Sequence, residues 1–116
     1  MSTYRILIPV DFREESQMVF PHAAFWAQQL HADITLLHVC SEDVDPESLV
    51  EPIESWKTTL STSFTGQIET SIRQGSFLKD WGQFTKELGA THMIMPTHGM
   101  VGDQAFQGSL ALNIIT

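Results

Sequence analysis

Apolar residues fall in two rhythms along this chain, continuous short runs and stripes spaced three or four apart, and the two alternate. Tyr4 to Val10 holds Ile6-Leu7-Ile8, apolar at successive positions, as in a strand buried on both faces. Asp11-Phe12-Arg13-Glu14-Glu15-Ser16 is polar and acid-rich, and predicts a loop and first helical turn. Met18 to Leu30 follows as a helix, with Ala23, Ala24 and Ala27 for close packing. Pro21 removes a helical N–H, so the pattern predicts a kink there or a helix that starts only near Pro21. Asp33 to Val39 is a second buried strand.

Leu49, Ile53, Trp56 and Leu60 share one helical face. Its start is ambiguous, because Asp45-Pro46 and Ser48-Leu49-Val50-Glu51 are both acceptable N-terminal signals. Ile68, Thr70 and Ile72 alternate with polar residues, the habit of a half-exposed edge strand ending at Gly75. Ser76 is placed to cap a helix carrying Phe77, Trp81, Phe84 and Leu88, closed by Gly89. Thr91 to Met95 reads as a fourth strand, and Ser109 to Ile115 as a helix start.

Strands that alternate with helices, joined by right-handed crossovers, predict an α/β fold: a doubly wound open parallel sheet of order 3-2-1-4 with helices on both faces. Ligands in such sheets sit outside the carboxyl ends of strands where the winding reverses, here between the first and fourth strands. The loops after Val10 and Met95 then face each other, and the second of them holds Pro96-Thr97-His98-Gly99 and Gly108-Ser109. Glycines and a helix N-terminus there would let backbone N–H groups cradle a phosphate, although Pro96 itself has no N–H to give.

Composition narrows the partners. The 116 residues predict one domain, residues 1–116, with a net charge of −8 that argues against nucleic acid or an anionic membrane. Any phosphate site must be local and built from backbone amides. One cysteine, Cys40, cannot form an internal disulfide, the start lacks a signal-peptide pattern, and no apolar run suits a membrane span, so a cytoplasmic location is expected.

Several residues have a plainer reading beside the functional one. Gly99 and Gly102 suit turns, Gly108-Ser109 a helix start, and Asp11 an Asx turn as well as a ligand contact. His98 has no serine, cysteine or carboxylate tied to it by a motif, and His38 reads as a satisfied core imidazole. The five histidines and Cys40 show no metal-ligand spacing, Cys40 reads as a small apolar residue, and Trp26, Trp56 and Trp81 read as core. No catalytic residue emerges, and no general base, arginine clamp or Walker lysine, so an ATP hydrolase ranks lowest.

Three blocks taken together resemble the universal stress protein family, within the adenine-nucleotide α-hydrolase-like superfamily. They are Ile6-Leu7-Ile8-Pro9-Val10-Asp11-Phe12 with Glu14-Glu15-Ser16, then Ala32 to Val39, then Gly89 to Met95 with Thr97-His98-Gly99 and Gly108-Ser109. The resemblance covers the whole chain and implies a regulatory, stress-response domain that binds ATP, with Mg²⁺ accompanying it, or another adenine nucleotide. By its pattern the backbone at Val39 would read adenine, Asp11 would lie by base and ribose, and Gly108 and Ser109 would clasp the phosphates. Pro9, Val10, Met95, Gly99 and Gly102 complete the cofactor-binding set implied. Two departures stand out from the G-x2-G-x9-G-[ST] pattern of nucleotide-binding members: Pro96 replaces the first glycine, and eight residues rather than nine separate Gly99 from Gly108.

Those departures keep open an alternative, a family member without nucleotide that acts as an interaction or dimerisation module. Family domains usually carry a fifth apolar strand, for which Asn113-Ile114-Ile115-Thr116 offers no counterpart. An uncovered edge beside the fourth strand then predicts a homodimer, a second universal stress domain in a longer chain, or a rearranged C-terminus.

Overall fold

A computed structural model of the chain describes residues 3–95 and 112–114. The first strand, β1, spans Arg5–Pro9 and leads through a 3-10 turn at Glu14–Val19 into α1, Phe20–Leu30. Pro21 sits in the first turn of α1, where a missing N–H is harmless, so the helix begins at the proline instead of kinking around it. β2, Asp33–Cys40, is followed by a 3-10 turn at Pro46–Leu49 and by α2, Val50–Ser61. Of the two possible starts, Asp45-Pro46 opens this segment, and the Asp45 carboxylate accepts the Glu47 N–H at 3.1 Å.

β3, Ile68–Gln74, precedes α3, Phe77–Leu88. Ser76 stands at the N-cap of α3, but its hydroxyl makes no capping bond, and instead its N–H donates to Asp80 Oδ2 at 3.0 Å. Gly89 ends the helix with φ 71°, a left-handed turn that a glycine enters without strain. β4, His92–Ile94, is the fourth parallel strand.

The sheet order is β3-β2-β1-β4 in parallel, as the alternation of patterns predicts, with β5, Leu112–Ile114, added antiparallel beyond β4. β5 corrects two expectations. The helix start read from Ser109 to Ile115 gives way to strand at 112–114, and the edge of β4 is covered from within the chain. The physical reason is local: Leu112 and Ile114 alternate with Asn113, and the apolar edge of β4 offers hydrogen-bond partners that a seven-residue helix lacks.

Two cores sit on opposite faces of the sheet. On one, Ile6, Ile8, Ile34 and Leu36 pack against α1 through Ala23, Ala24 and Ala27 and against α2 through Ile53 and Leu60. On the other, Leu7, Leu37 and Met93 pack against Phe84 of α3, with Phe77, Trp81 and Leu88 around it. Trp26 and Trp56 border the first core and Trp81 the second, in the packing roles expected of them. Arg5 ties the N-terminal end together. Its Nη1 donates to the Leu88 carbonyl at 3.1 Å and to Glu69 Oε2 at 3.3 Å, while its N–H donates to Thr91 Oγ1 at 2.9 Å.

Candidate functional site

At the carboxyl end of the sheet, β1 stops at Pro9, level with Leu37, while β2 runs on three residues further to Cys40. The Val10 N–H donates to the Leu37 carbonyl at 2.8 Å, and the Val10 carbonyl lies 2.6 Å from His38 Nδ1. A carbonyl can only accept, so Nδ1 carries the proton. His38 is thus a satisfied imidazole as expected, but it sits at the exit of the sheet and holds that exit in place.

Beyond Val10 the chain turns sharply. Phe12 adopts φ 65°, a left-handed conformation that costs a non-glycine residue about 1–2 kcal/mol. The turn places the Phe12 ring 4.5 Å from the His38 ring and 5.5 Å, edge to face, from Trp56. Phe20 meets Trp56 in turn at 5.9 Å. Aromatic contacts contribute about 0.5–1.5 kcal/mol each beyond simple burial, enough to offset the backbone strain.

Asp11 closes an Asx turn, its Oδ1 accepting the Arg13 N–H at 3.0 Å. Its Oδ2 accepts from Arg13 Nε at 2.9 Å and lies 2.8 Å from Arg13 Nη2. The turn is the plainer of the two sequence readings of Asp11. It also brings an arginine to the switch point, where the sequence alone led us to expect only backbone amides. The Asp-x-Arg spacing is the signal that could have found it.

Val39 contributes through its backbone. Asp33 donates its N–H to the Tyr4 carbonyl and Leu37 offers its carbonyl to Val10, so odd-numbered residues of β2 face β1. By that alternation the Val39 N–H and C=O point to the same side, one step beyond Val10 N–H to Leu37 O, the last β1–β2 backbone bond among the described residues. Its side chain packs on the second core. The result is a donor and an acceptor on one peptide edge, directed to the side from which β1 turns away.

Of the remaining candidates, Val10 and Met95 are buried as whole residues, at 3% and 2% exposure. The β1–β4 register pairs Ile6 with His92 and Leu7 with Met93, and extended it sets Pro9 level with Met95. Pro9, Val10, Asp11, Val39 and Met95 therefore converge on one end of the sheet. Gly99, Gly102, Gly108 and Ser109, together with Pro96 and His98, lie outside the described residues. Among the described residues no group of three His, Cys, Asp or Glu side chains is placed to hold a metal ion, and no helix is long and apolar enough to cross a membrane. A depression of about 300 Å³ lined by Gln28, His31, Asp33 and Phe64 opens at the opposite end, near the start of β2.

Solved structures of the same architecture are numerous. The chain superposes on a universal stress protein in complex with cAMP with a TM-score of 0.68 at 11% identity, covering 93% of this chain and 85% of that one. UspA from Lactobacillus plantarum aligns with a TM-score of 0.66 at 18% identity, over 90% of this chain and 83% of its own. A family protein from Arabidopsis thaliana with AMP bound gives a TM-score of 0.61 at 15% identity, over 93% and 85%. At these identities the likeness establishes the fold. No curated protein sequence is significantly similar to the chain. The sequence profile of the universal stress protein family, however, matches residues 3–63, more than half of the chain. With the three sequence blocks, the sheet order and that match in agreement, the chain belongs to the universal stress protein family.

Proposed function

We propose that this chain is a regulatory universal stress domain that binds an adenine nucleotide, ATP or a monophosphate, at the carboxyl end of β1 and β2. The observation that carries the reading is the Val39 peptide edge. An adenine presents a donor and an acceptor side by side on one ring edge, and the Val39 C=O and N–H present the complement at the same end of the sheet as the Asp11–Arg13 turn. Asp11 lies beside base and ribose, and the Arg13 guanidinium adds one cation for phosphates, with whatever Mg²⁺ they carry. Gly99, Gly102, Gly108 and Ser109 supply the phosphate loop in this reading. Relatives of the same fold solved with cAMP and with AMP support it.

A second reading, a nucleotide-free interaction module, is favoured by Pro96 and the shortened loop. Thermal melting with millimolar AMP, ADP, ATP and cAMP, with and without Mg²⁺, separates the two. A nucleotide at 100 times its dissociation constant stabilises the fold by about 2.7 kcal/mol. Absence of any shift across the series leaves the second reading in place.

A further inference from the structure

We propose that the depression at the amino end of the sheet binds a small alkyl ammonium, a primary amine on a short aliphatic stem. It opens between the last turn of α1, the start of β2 and residues 64–66 that lead into β3. Its volume of about 300 Å³ is at the small end for ligand pockets, so its occupant is small. The nucleotide site lies at the other end of the sheet and is independent of it.

Two sources of negative potential meet in this depression, and neither is matched by a close cation of the chain. Asp33, the first residue of β2, lines it with a side chain only 18% exposed. Among the described residues the one cation near that carboxylate is Arg5 Nη2 at 4.0 Å, and Arg5 is drawn away, its Nη1 donating to the Leu88 carbonyl and to Glu69. The second source is the carboxyl end of α1, where the last carbonyls carry about half a negative charge. α3 answers that charge with Lys86 in its last turn, whereas the last turn of α1 holds no basic residue. His31 closes α1 in the left-handed conformation, with φ 54°, and lines the same depression.

The rest of the lining selects the kind of cation. The Gln28 amide oxygen and the Thr65 hydroxyl can accept hydrogen bonds beside the Asp33 carboxylate, and an ammonium has three N–H groups to donate. Ala27, Ala32 and the Phe64 ring form an apolar wall along which a hydrocarbon stem can lie. Gly66 is what allows the ring its place, since a Cβ there would collide with Phe64 Cζ. Backbone bonds hold the walls from behind: the Ala32 N–H donates to the Ala27 carbonyl at 2.8 Å, Asp33 to Tyr4 at 3.1 Å, and Ile34 to Gln67 at 3.0 Å. A metal ion suits the lining less well, because Asp33 and His31 are its only carboxylate and imidazole. The net charge of −8 favours any cation over an anion.

The test is titration of the full chain with n-butylammonium chloride at about pH 8, followed by amide NMR, with n-butanol and with potassium chloride at matched ionic strength as controls. Saturable shifts are expected at Gln28, His31, Asp33, Thr65 and Gly66, with a dissociation constant on the order of 1 mM, because one partly exposed ion pair and a short stem supply little more. Neither control is expected to reproduce them. Asp33→Asn keeps the backbone bond to Tyr4 and is expected to weaken binding about tenfold. Gln28→Lys, at an exposed helical position, sets the chain's own ammonium at the site and is expected to weaken binding by a similar factor, at an unchanged fold by circular dichroism. No saturation by about 20 mM, equal shifts with n-butanol or potassium chloride, or an undiminished affinity in either folded variant overturns the proposal.

Discussion

The protonated Nδ1 of His38 donates to the carbonyl of Val10 across the exits of two adjacent parallel strands, at 2.6 Å. Val10 is the last residue of the β1 exit before the chain swings into the left-handed Phe12, and the His38 ring also stacks on Phe12. One side chain therefore fixes both sides of the turn that delivers Asp11 and Arg13. His38→Ala removes the hydrogen bond and the ring contact, and leaves the carbonyl of the buried Val10 without its donor. The expected loss is about 2–3 kcal/mol in urea unfolding. A loss below half a kcal/mol would show that the turn holds itself.

Arg13 gives the sharpest test of the ligand site. On the nucleotide reading, Arg13→Ala lowers affinity for ATP by roughly one to two decades, the worth of one charge-assisted contact, and affects adenosine far less. Its effect on stability is expected to stay under about 1 kcal/mol, since the pair with Asp11 is exposed. Titration calorimetry with the nucleotide and the nucleoside measures both.

Pro96→Gly restores the N–H that the family pattern supplies at that position. Tighter ATP binding by about one to two decades is expected, read as a larger thermal shift at fixed nucleotide. An unchanged affinity would mean that the phosphates do not use this amide.

Gly89 isolates a backbone effect. Its φ is 71° and a Cβ built there meets nothing within 4 Å, so Gly89→Ala carries conformational strain alone. The expected destabilisation is about 1 kcal/mol, with no change in nucleotide affinity.

Asp43 gives a pH-dependent signal outside the site. Its carboxylate accepts the Ser41 hydroxyl, which lowers its pKa below the usual aspartate range. A carboxyl depressed in the folded state stabilises above its unfolded pKa, and that contribution fades as pH falls through the folded one. Ser41→Ala is expected to move the Asp43 carbon-shift titration in NMR to higher pH, toward that of an ordinary aspartate.

Much of this architecture was legible because burial leaves a periodic trace. Ile6-Leu7-Ile8 could only be a strand covered on both sides, and Phe77, Trp81, Phe84 and Leu88 only a stripe facing a core. Pro21 announced the start of α1. β5 was not legible, since three alternating residues become a strand only when an open edge stands beside them. At the site, Asp11 and Val39 could be named from the resemblance, but their partners could not. Arg13 reaches Asp11 through a two-residue turn, and Phe12 adopts a conformation disfavoured by its own chemistry and held by Trp56 and His38. The Phe12 contacts depend on where separate elements meet, which no local pattern encodes, whereas the Asp11–Arg13 pair lies within one Asp-x-Arg turn.

The central position of β1 also governs the order in which this protein can be made. β1 meets β2 nearby in the chain, but its other flank waits for β4, and Arg5 reaches Thr91 across 86 positions. On a ribosome adding about 5–20 residues per second, β1, α1 and β2 can close while most of the chain is unsynthesised. The β4 flank of β1 stays bare for several seconds longer. That interval, more than any property of the finished fold, is where a nascent chain would be exposed to mispairing and would gain from a chaperone.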